Sequence, residues 1–141
     1  MKVRPMTPED LPAVARLSGV LGYPLDSGQA QRRFDALVRE DHGLYVAEDS
    51  GRVVGWIHVS AARTLTDEPK TVIDALIVDE SVRSQGIGRR LVAQGETWAA
   101  ARGHKTVRVR TRITRDRAHH FYRTCGFALD KTQHIFDKNL E

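Results

Sequence analysis

A chain of 141 residues, 40% hydrophobic and 28% charged, is long enough to bury one core and too short for two, which predicts a single domain over residues 1–141. Its longest apolar runs fall far below the roughly 20 residues of a membrane-spanning helix, and Met1-Lys2-Val3-Arg4-Pro5 lacks the apolar centre of a secretory leader, so a soluble, cytoplasmic protein without a membrane partner is expected. Cys125 is the only cysteine and excludes an internal disulfide, while the net charge of +4 is a mild excess whose placement tells more than its size.

Val3 between polar neighbours reads as a short strand within residues 1–6. In Thr7-Pro8-Glu9-Asp10 a hydroxyl N-cap, a proline at the first helical position and an acidic residue three beyond the cap open a helix over residues 8–20. Leu11, Val14, Ala15 and Leu17 or Ser18 form its buried stripe. Gly22-Tyr23-Pro24 ends it, and Asp26-Ser27 or Ser27-Gly28 starts a second helix carrying Ala30, Phe34, Leu37 and Val38. Residues 44–47 and 53–59 are β-rich runs joined by Glu48-Asp49-Ser50-Gly51-Arg52, an antiparallel hairpin. Residues 61–70 are polar and patternless, an extended connection of the kind that carries substrate contacts, and lead to a central strand over residues 71–78.

After Val78 the apolar run breaks into a polar turn, and an amphipathic pattern resumes at Leu91, giving strand, loop and helix. Gly86 and Gly88 fall at the junction, where a missing Cβ lets a ligand approach N–H groups that the first helical turn cannot satisfy. Such a terminus binds anions, phosphates above all. Arg89-Arg90 excludes the nucleotide loop that ends in Lys-Ser or Lys-Thr, and Leu91 stands where the dinucleotide fingerprint needs its third glycine.

Leu91, Val92, Gly95, Trp98 and Ala99 recur at helical spacing to about Arg102, with Gly103 as the cap. Val107 and Val109 then alternate with Arg108 and Arg110 in a half-buried strand, which a right-handed crossover would set parallel to residues 71–78. A short helix over residues 116–124 carries Ala118, Phe121, Tyr122 and Cys125 on one stripe, and residues 127–129 and 134–138 read as a final antiparallel hairpin.

Two segments carry a family resemblance. Arg83-x-x-Gly86-x-Gly88 resembles the acyl-CoA pyrophosphate loop of the GCN5-related N-acetyltransferases (GNAT). About thirty residues further on, Ala118-His119-His120-Phe121-Tyr122-Arg123-Thr124-Cys125-Gly126-Phe127 resembles the A-x-x-F-Y-x-x-x-G-F segment of the same family, and the likeness spans residues 1–139. There is some similarity to the aminoglycoside 6′-N-acetyltransferases in an acidic residue, Asp74, nine positions before Arg83. The resemblance implies an α/β fold of GNAT type: a mostly antiparallel mixed sheet, helices on both faces, and a splayed central parallel strand pair whose gap admits the pantetheine arm. It implies acetyl-CoA as co-substrate. Cofactor contacts are then expected from Ile77 and Val78 through their backbone, from Arg83, Ser84, Gln85, Gly86, Ile87, Gly88, Arg89 and Arg90, and from His119 and Tyr122. Where the family often has Asn, three residues before Ala118, this chain has Arg115. The first two helices and residues 21–25 would border the acceptor pocket.

In the same terms Tyr122 is the expected general acid that protonates the departing CoA thiolate; its plain alternative is a packed ring whose OH finds a partner. A base is needed because a protonated amine has no lone pair. Asp74 is the first candidate, placed by simple alternation on the face of Leu76 and Val78, with Glu80, His58 and a water chain behind it, and a solvent-facing strand aspartate as the plain alternative. His104, His119, His120 and His134 form no i, i+4 pair and have no cysteine cluster, so a metal is not expected. Cys125 reads as a packed thiol, and Trp56 and Trp98 as core.

Arg83, Arg89 and Arg90 crowd the glycine loop, and Arg108, Arg110, Arg112, Arg115 and Arg117 follow, a field that suits polyanionic CoA. For Arg108 and Arg110 a solvated face reads equally well. Nucleic acid is not an expected partner, because aromatic residues are not interleaved with the arginines. The expected activity is acetyl transfer to a primary amine of a small-molecule acceptor by direct attack in a ternary complex. A non-catalytic acyl-CoA-binding regulatory module and a protein or peptide N-acetyltransferase stay open, and a homodimer is compatible with each.

Overall fold

Among the described residues five strands form one sheet whose spatial order follows the chain: β1 (Lys2–Pro5), β2 (His42–Asp49), β3 (Arg52–Ala62), β4 (Lys70–Val78) and β5 (Val107–Val109). The first three pairings are antiparallel and β4–β5 is parallel. Helices α1 (Leu11–Val20), α2 (Ser27–Leu37), α3 (Ile87–Ala101) and α4 (Asp116–Thr124) complete the fold. This computed structural model describes residues 1–83 and 85–141 and divides into two units, Met1–Arg110 and Thr111–Glu141.

In the first unit, side chains on one sheet face meet α1 and α2: Leu11, Val14, Leu17, Ala30 and Phe34 pack with Val46, Val53 and Ile77, with Trp56 against them. Asp26 caps α2 as a full box, its carboxylate accepting the Gln29 N–H at 2.8 Å while the Gln29 side chain accepts the Asp26 N–H at 3.2 Å. Val38, expected as part of that helix, is its C-cap one residue beyond Leu37 and is 56% exposed. The opposite sheet face carries α3, whose buried residues are Ile87, Leu91, Val92, Gly95, Trp98 and Ala99. That is the stripe the periodicity gives, and full burial of Leu91 and Val92 contributes about 2 kcal/mol each. The close approach of α3 requires Gly43 in β2: a Cβ there would lie 2.8 Å from the Trp98 ring and from Val59.

The β2–β3 hairpin turns at Ser50 and Gly51, both at positive φ (52° and 78°), the mirror-image turn whose twist matches paired strands. Farther along, Arg4 grips Asp10 with two hydrogen bonds of 2.8 Å and reaches Glu48 at 3.0 Å, tying β1, the turn before α1 and β2 together. Asp10 is only 5% exposed, and the Arg4 guanidinium holds its carboxyl below the ordinary carboxylate range. Arg4→Ala strands a buried carboxylate and is expected to destabilise the fold by about 3 kcal/mol, read as a lowered denaturant midpoint at unchanged slope. Because the folded-state pKa of Asp10 is depressed, its contribution is present above the unfolded carboxylate pKa of about 4 and is lost as pH falls through the lower folded value.

β4 contains the irregularity that matters most. Ala75 pairs with His58 and Ile73 with Val59, so Asp74 is an extra residue between two matched pairs, a β-bulge. Beyond Ile73, which pairs with Val109, β4 runs on to Val78 while β5 ends, so among the described residues β4 has no strand partner on that side over residues 74–78. The parallel pairing is therefore confined to Thr71–Ile73 with Val107–Val109.

In the second unit α4 begins at Asp116 and is closed by Gly126 at φ 93°. Ala118, Phe121, Tyr122 and Cys125 are half-buried. The expected closing hairpin is not formed: among the described residues no strand lies beyond Val109. Ile135 and Phe136 are consecutive, so a strand would send them to opposite faces. Residues 130–133 offer no Gly or Asn to set a tight turn, and an isolated two-stranded ribbon is marginal by itself.

Candidate active site

The bulge gives Asp74 its position. Ile57 and Val59 contact Gly95 of α3 across any Cβ placed there, which defines one face of β3; His58 and Ser60 alternate to the other. Asp74 joins the second group: the Ser60 hydroxyl donates to its Oδ2 at 2.6 Å, and His58 Nε2 lies 3.5 Å from the same oxygen. Simple alternation, which put Asp74 with Leu76 and Val78, fails here. Leu76 pairs with Ile57 and Val78 with Gly55, on the α3 side, and the extra residue turns Asp74 away from them. It consequently opens toward the sheet face that carries α1 and α2.

His58 is not alone. Its Nε2 is 2.8 Å from His42 Nδ1, and His42 Nε2 is 3.3 Å from Glu40 Oε2. Burial pushes the His58 imidazole below the ordinary histidine range, opposed by the Asp74 carboxylate and reinforced by His42. Glu80, the other acidic candidate, sits in the loop after β4, with its carboxylate 3.5 Å from the Arg83 guanidinium. His42 was missed in the sequence because the cluster is assembled across three strands, with no local spacing to reveal it.

Between β4 and α3 the chain turns at Asp79, whose Oδ1 accepts the Ser81 N–H at 3.0 Å and the Ser81 hydroxyl at 2.9 Å, and these bonds hold its carboxyl low. Gly86 caps α3 at φ 78°, a left-handed position that strains any residue with a Cβ. The first intrahelical bond runs from the Arg90 N–H to the Gly86 carbonyl at 3.1 Å. That bond occupies the Arg90 amide, counted in the sequence among the phosphate donors, so its guanidinium is what it can offer; one of its nitrogens donates to the Met1 carbonyl at 3.2 Å. Helix geometry turns the amides ahead of it, from Ile87 and Gly88 on, toward the helix end. Gln85, Gly86, Arg89 and Arg90 are exposed around this terminus, whereas the Ile87 side chain is buried. Ser84 lies outside the described residues. Ile77 and Val78 occupy the last part of β4, where the β5 side has no strand partner.

A cavity of about 80 Å³ lies under the β3–β4 connection, lined by Ala62, Thr64, Asp67, Glu68, Lys70, Val72, Arg108 and Arg110. It is far smaller than the roughly 300 Å³ of a small-molecule pocket.

In the second unit Tyr122 is packed edge-on against Phe121 and Phe127, with ring centroids 5.1 and 5.5 Å away. Burial pushes its phenol up to about 12, and nearby Arg115 only partly offsets this. A phenol so placed keeps its proton at neutral pH. His119 Nε2 donates to the Arg112 carbonyl at 2.8 Å, which fixes its tautomer.

A mixed sheet whose parallel pairing is confined to Thr71–Ile73 with Val107–Val109, followed by a helix that starts at a left-handed glycine, is the fold that the comparisons address. The model of the Acetyltransferase (GNAT) family matches residues 12–127, and the chain belongs to that family. Acetyl transfer from acetyl-CoA to an acceptor is the reaction of the family.

Solved structures agree in fold. A candidate acetyltransferase from Agrobacterium tumefaciens str. C58 is 26% identical, with 98% of this chain and 100% of that one covered and a TM-score of 0.87. An aminoglycoside antibiotic 6′-N-acetyltransferase from Acinetobacter haemolyticus is 16% identical, with both chains fully covered and a TM-score of 0.86. A glucosamine-6-phosphate N-acetyltransferase from Arabidopsis thaliana is 19% identical, covering 99% and 98%, at 0.82. The last two likenesses speak for the fold alone. No curated protein matches in sequence. No helix among the described residues is long and apolar enough to cross a membrane.

Proposed function

We propose that this chain is a single N-acetyltransferase domain that transfers the acetyl group of acetyl-CoA to a primary amine of a small-molecule acceptor, by direct attack in a ternary complex, in the cytoplasm. The observation that carries this reading is the bulge carboxylate: Asp74, held by Ser60 at 2.6 Å, stands where β4 loses its β5 partner and opens on the α1–α2 side of the sheet. A carboxylate there attracts an ammonium group and accepts its proton, directly or through one water, which frees the lone pair for attack. The amine nitrogen forms the new bond to the thioester carbonyl carbon, the tetrahedral intermediate collapses, and sulfur leaves.

The remaining parts follow from the family. The helix start at residues 85–90, with Arg83, Arg89 and Arg90 beside it, suits the pyrophosphate of CoA by combining N–H donors with positive potential. The side of β4 that lacks a described strand partner at Ile77 and Val78 offers backbone groups to the pantetheine amides, as a strand edge does to an added strand. By the same resemblance Tyr122 is the acid that protonates the departing thiolate, and His119, three residues ahead of it in α4, is a cofactor contact. Much of the acceleration comes from holding two reactants in one geometry.

The direct test is an amine panel of polyamines, amino-acid derivatives, aminoglycosides and peptide N-termini, with free CoA thiol as the readout. Thermal stabilisation by CoA with no turnover on any amine would favour a regulatory module instead. The cofactor loop has its own test: Gly88→Val should weaken CoA binding by well over tenfold in calorimetry, because a branched side chain meets the phosphate at the helix start. Unchanged binding would remove the loop from the cofactor site.

A further inference from the structure

We propose that His42, His58 and Asp74 form a binding site for one divalent transition-metal ion of the Zn2+ class, and that its occupancy reversibly blocks acetyl transfer by engaging the carboxylate the reaction uses. The second half rests on the role of Asp74 given above; the first half does not.

Three adjacent strands present the three side chains: His42 opens β2, His58 lies in β3 and Asp74 is the bulge residue of β4. One ligand atom from each lies within 4.8 Å of the others. In a tetrahedral Zn2+ site, bonds of about 2.0–2.1 Å put neighbouring ligand atoms about 3.3 Å apart. The separations here, 2.8 Å between the two imidazole nitrogens and 3.5 Å from His58 to Asp74, straddle that value. Small side-chain rotations suffice to close a three-ligand set around an ion, with a fourth position for water. The histidine side chains are 18% and 17% exposed and Asp74 is 35% exposed, so the set is held by the sheet yet reachable from solvent. Two imidazoles with one carboxylate suit Zn2+, Co2+ or Ni2+; Mg2+ and Ca2+ prefer all-oxygen sets.

Supporting contacts fit the same purpose. Glu40 Oε2 at 3.3 Å from His42 Nε2 favours the proton on that nitrogen and leaves the Nδ1 lone pair facing His58. Ser60 donates to Asp74 Oδ2 at 2.6 Å and orients the carboxylate. Without an ion, the short contact between the two rings requires one N–H between them, so His58 carries its proton on Nε2. Binding moves that proton to His58 Nδ1, and no net proton need be released. Two neutral imidazoles and one carboxylate leave a charge of about +1 at the ion, which opposes a cationic amine.

The test uses the full chain after chelator treatment. Titration with Co2+ should give the visible d–d bands of a low-coordinate site, saturating at one ion per chain and abolished by Zn2+. His42→Gln and His58→Gln should each lower the affinity at least tenfold. Glu40→Gln, at a side chain 71% exposed and so no threat to folding, should lower it by about tenfold. No saturable one-to-one binding, or binding indifferent to all three changes, overturns the site. Once an acceptor is known, Zn2+ should suppress turnover, a chelator should restore it, and His42→Gln should stay active in zinc; turnover indifferent to bound zinc overturns the blocking role. An inactive chain that still binds Co2+ would refute the transferase reading while leaving the site intact.

Discussion

Asp74→Asn should lower kcat/KM by about 10²-fold, the usual effect of losing an acid–base group. Asparagine keeps the size of the side chain, and its carbonyl oxygen still accepts the 2.6 Å bond from the Ser60 hydroxyl, so the bulge should keep its shape. What disappears is the negative charge and the proton acceptor. Both KM for the amine and kcat should suffer, because the same carboxylate attracts the ammonium form and then takes its proton. Affinity for acetyl-CoA should be unchanged, which separates this variant from one that damages the cofactor loop. Activity within a factor of about two would return the role to His58 or to solvent. Glu80 is the weaker heir, since its carboxylate is engaged with Arg83 in the loop after β4.

Much of the first unit was legible because its elements are locally consistent. The stripe Leu91, Val92, Gly95, Trp98 and Ala99 repeats at helical spacing and packs as that spacing demands. Gly86 could be placed at a helix start from sequence, and its φ of 78° is a conformation that glycine tolerates best. Two kinds of feature were hidden. The first is register: the bulge at Asp74 is a relation between β3 and β4, and no pattern within β4 alone announces the extra residue, so alternation placed the carboxylate on the wrong face. The second is convergence across strands. His42 and His58 are 16 residues apart and touch at 2.8 Å only because β2 and β3 pair; the histidines that drew attention in the sequence, His104, His119, His120 and His134, are not part of that cluster. The tail shows the opposite error: residues 127–129 and 134–138 read as a closing hairpin, and among the described residues no strand lies beyond Val109.

Tyr122→Phe should lower kcat by about 10²-fold while leaving acetyl-CoA affinity nearly unchanged. Phenylalanine preserves the ring contacts with Phe121 and Phe127, so the loss isolates the hydroxyl proton. The pH behaviour supplies a second reading. Burial raises the phenol to about 12, which keeps it protonated, and able to donate, across the working range. The wild-type rate should therefore show no alkaline fall attributable to this acid below about pH 10, the ordinary tyrosine value. Linkage gives the matching sign for stability: a group whose folded pKa is raised contributes fully below its unfolded value near 10 and loses that contribution as pH climbs toward 12. Tyr122→Phe should accordingly flatten the alkaline end of the stability profile. A variant with unchanged kcat would leave Tyr122 as a packed ring of the α4 segment and pass the protonation of sulfur to water.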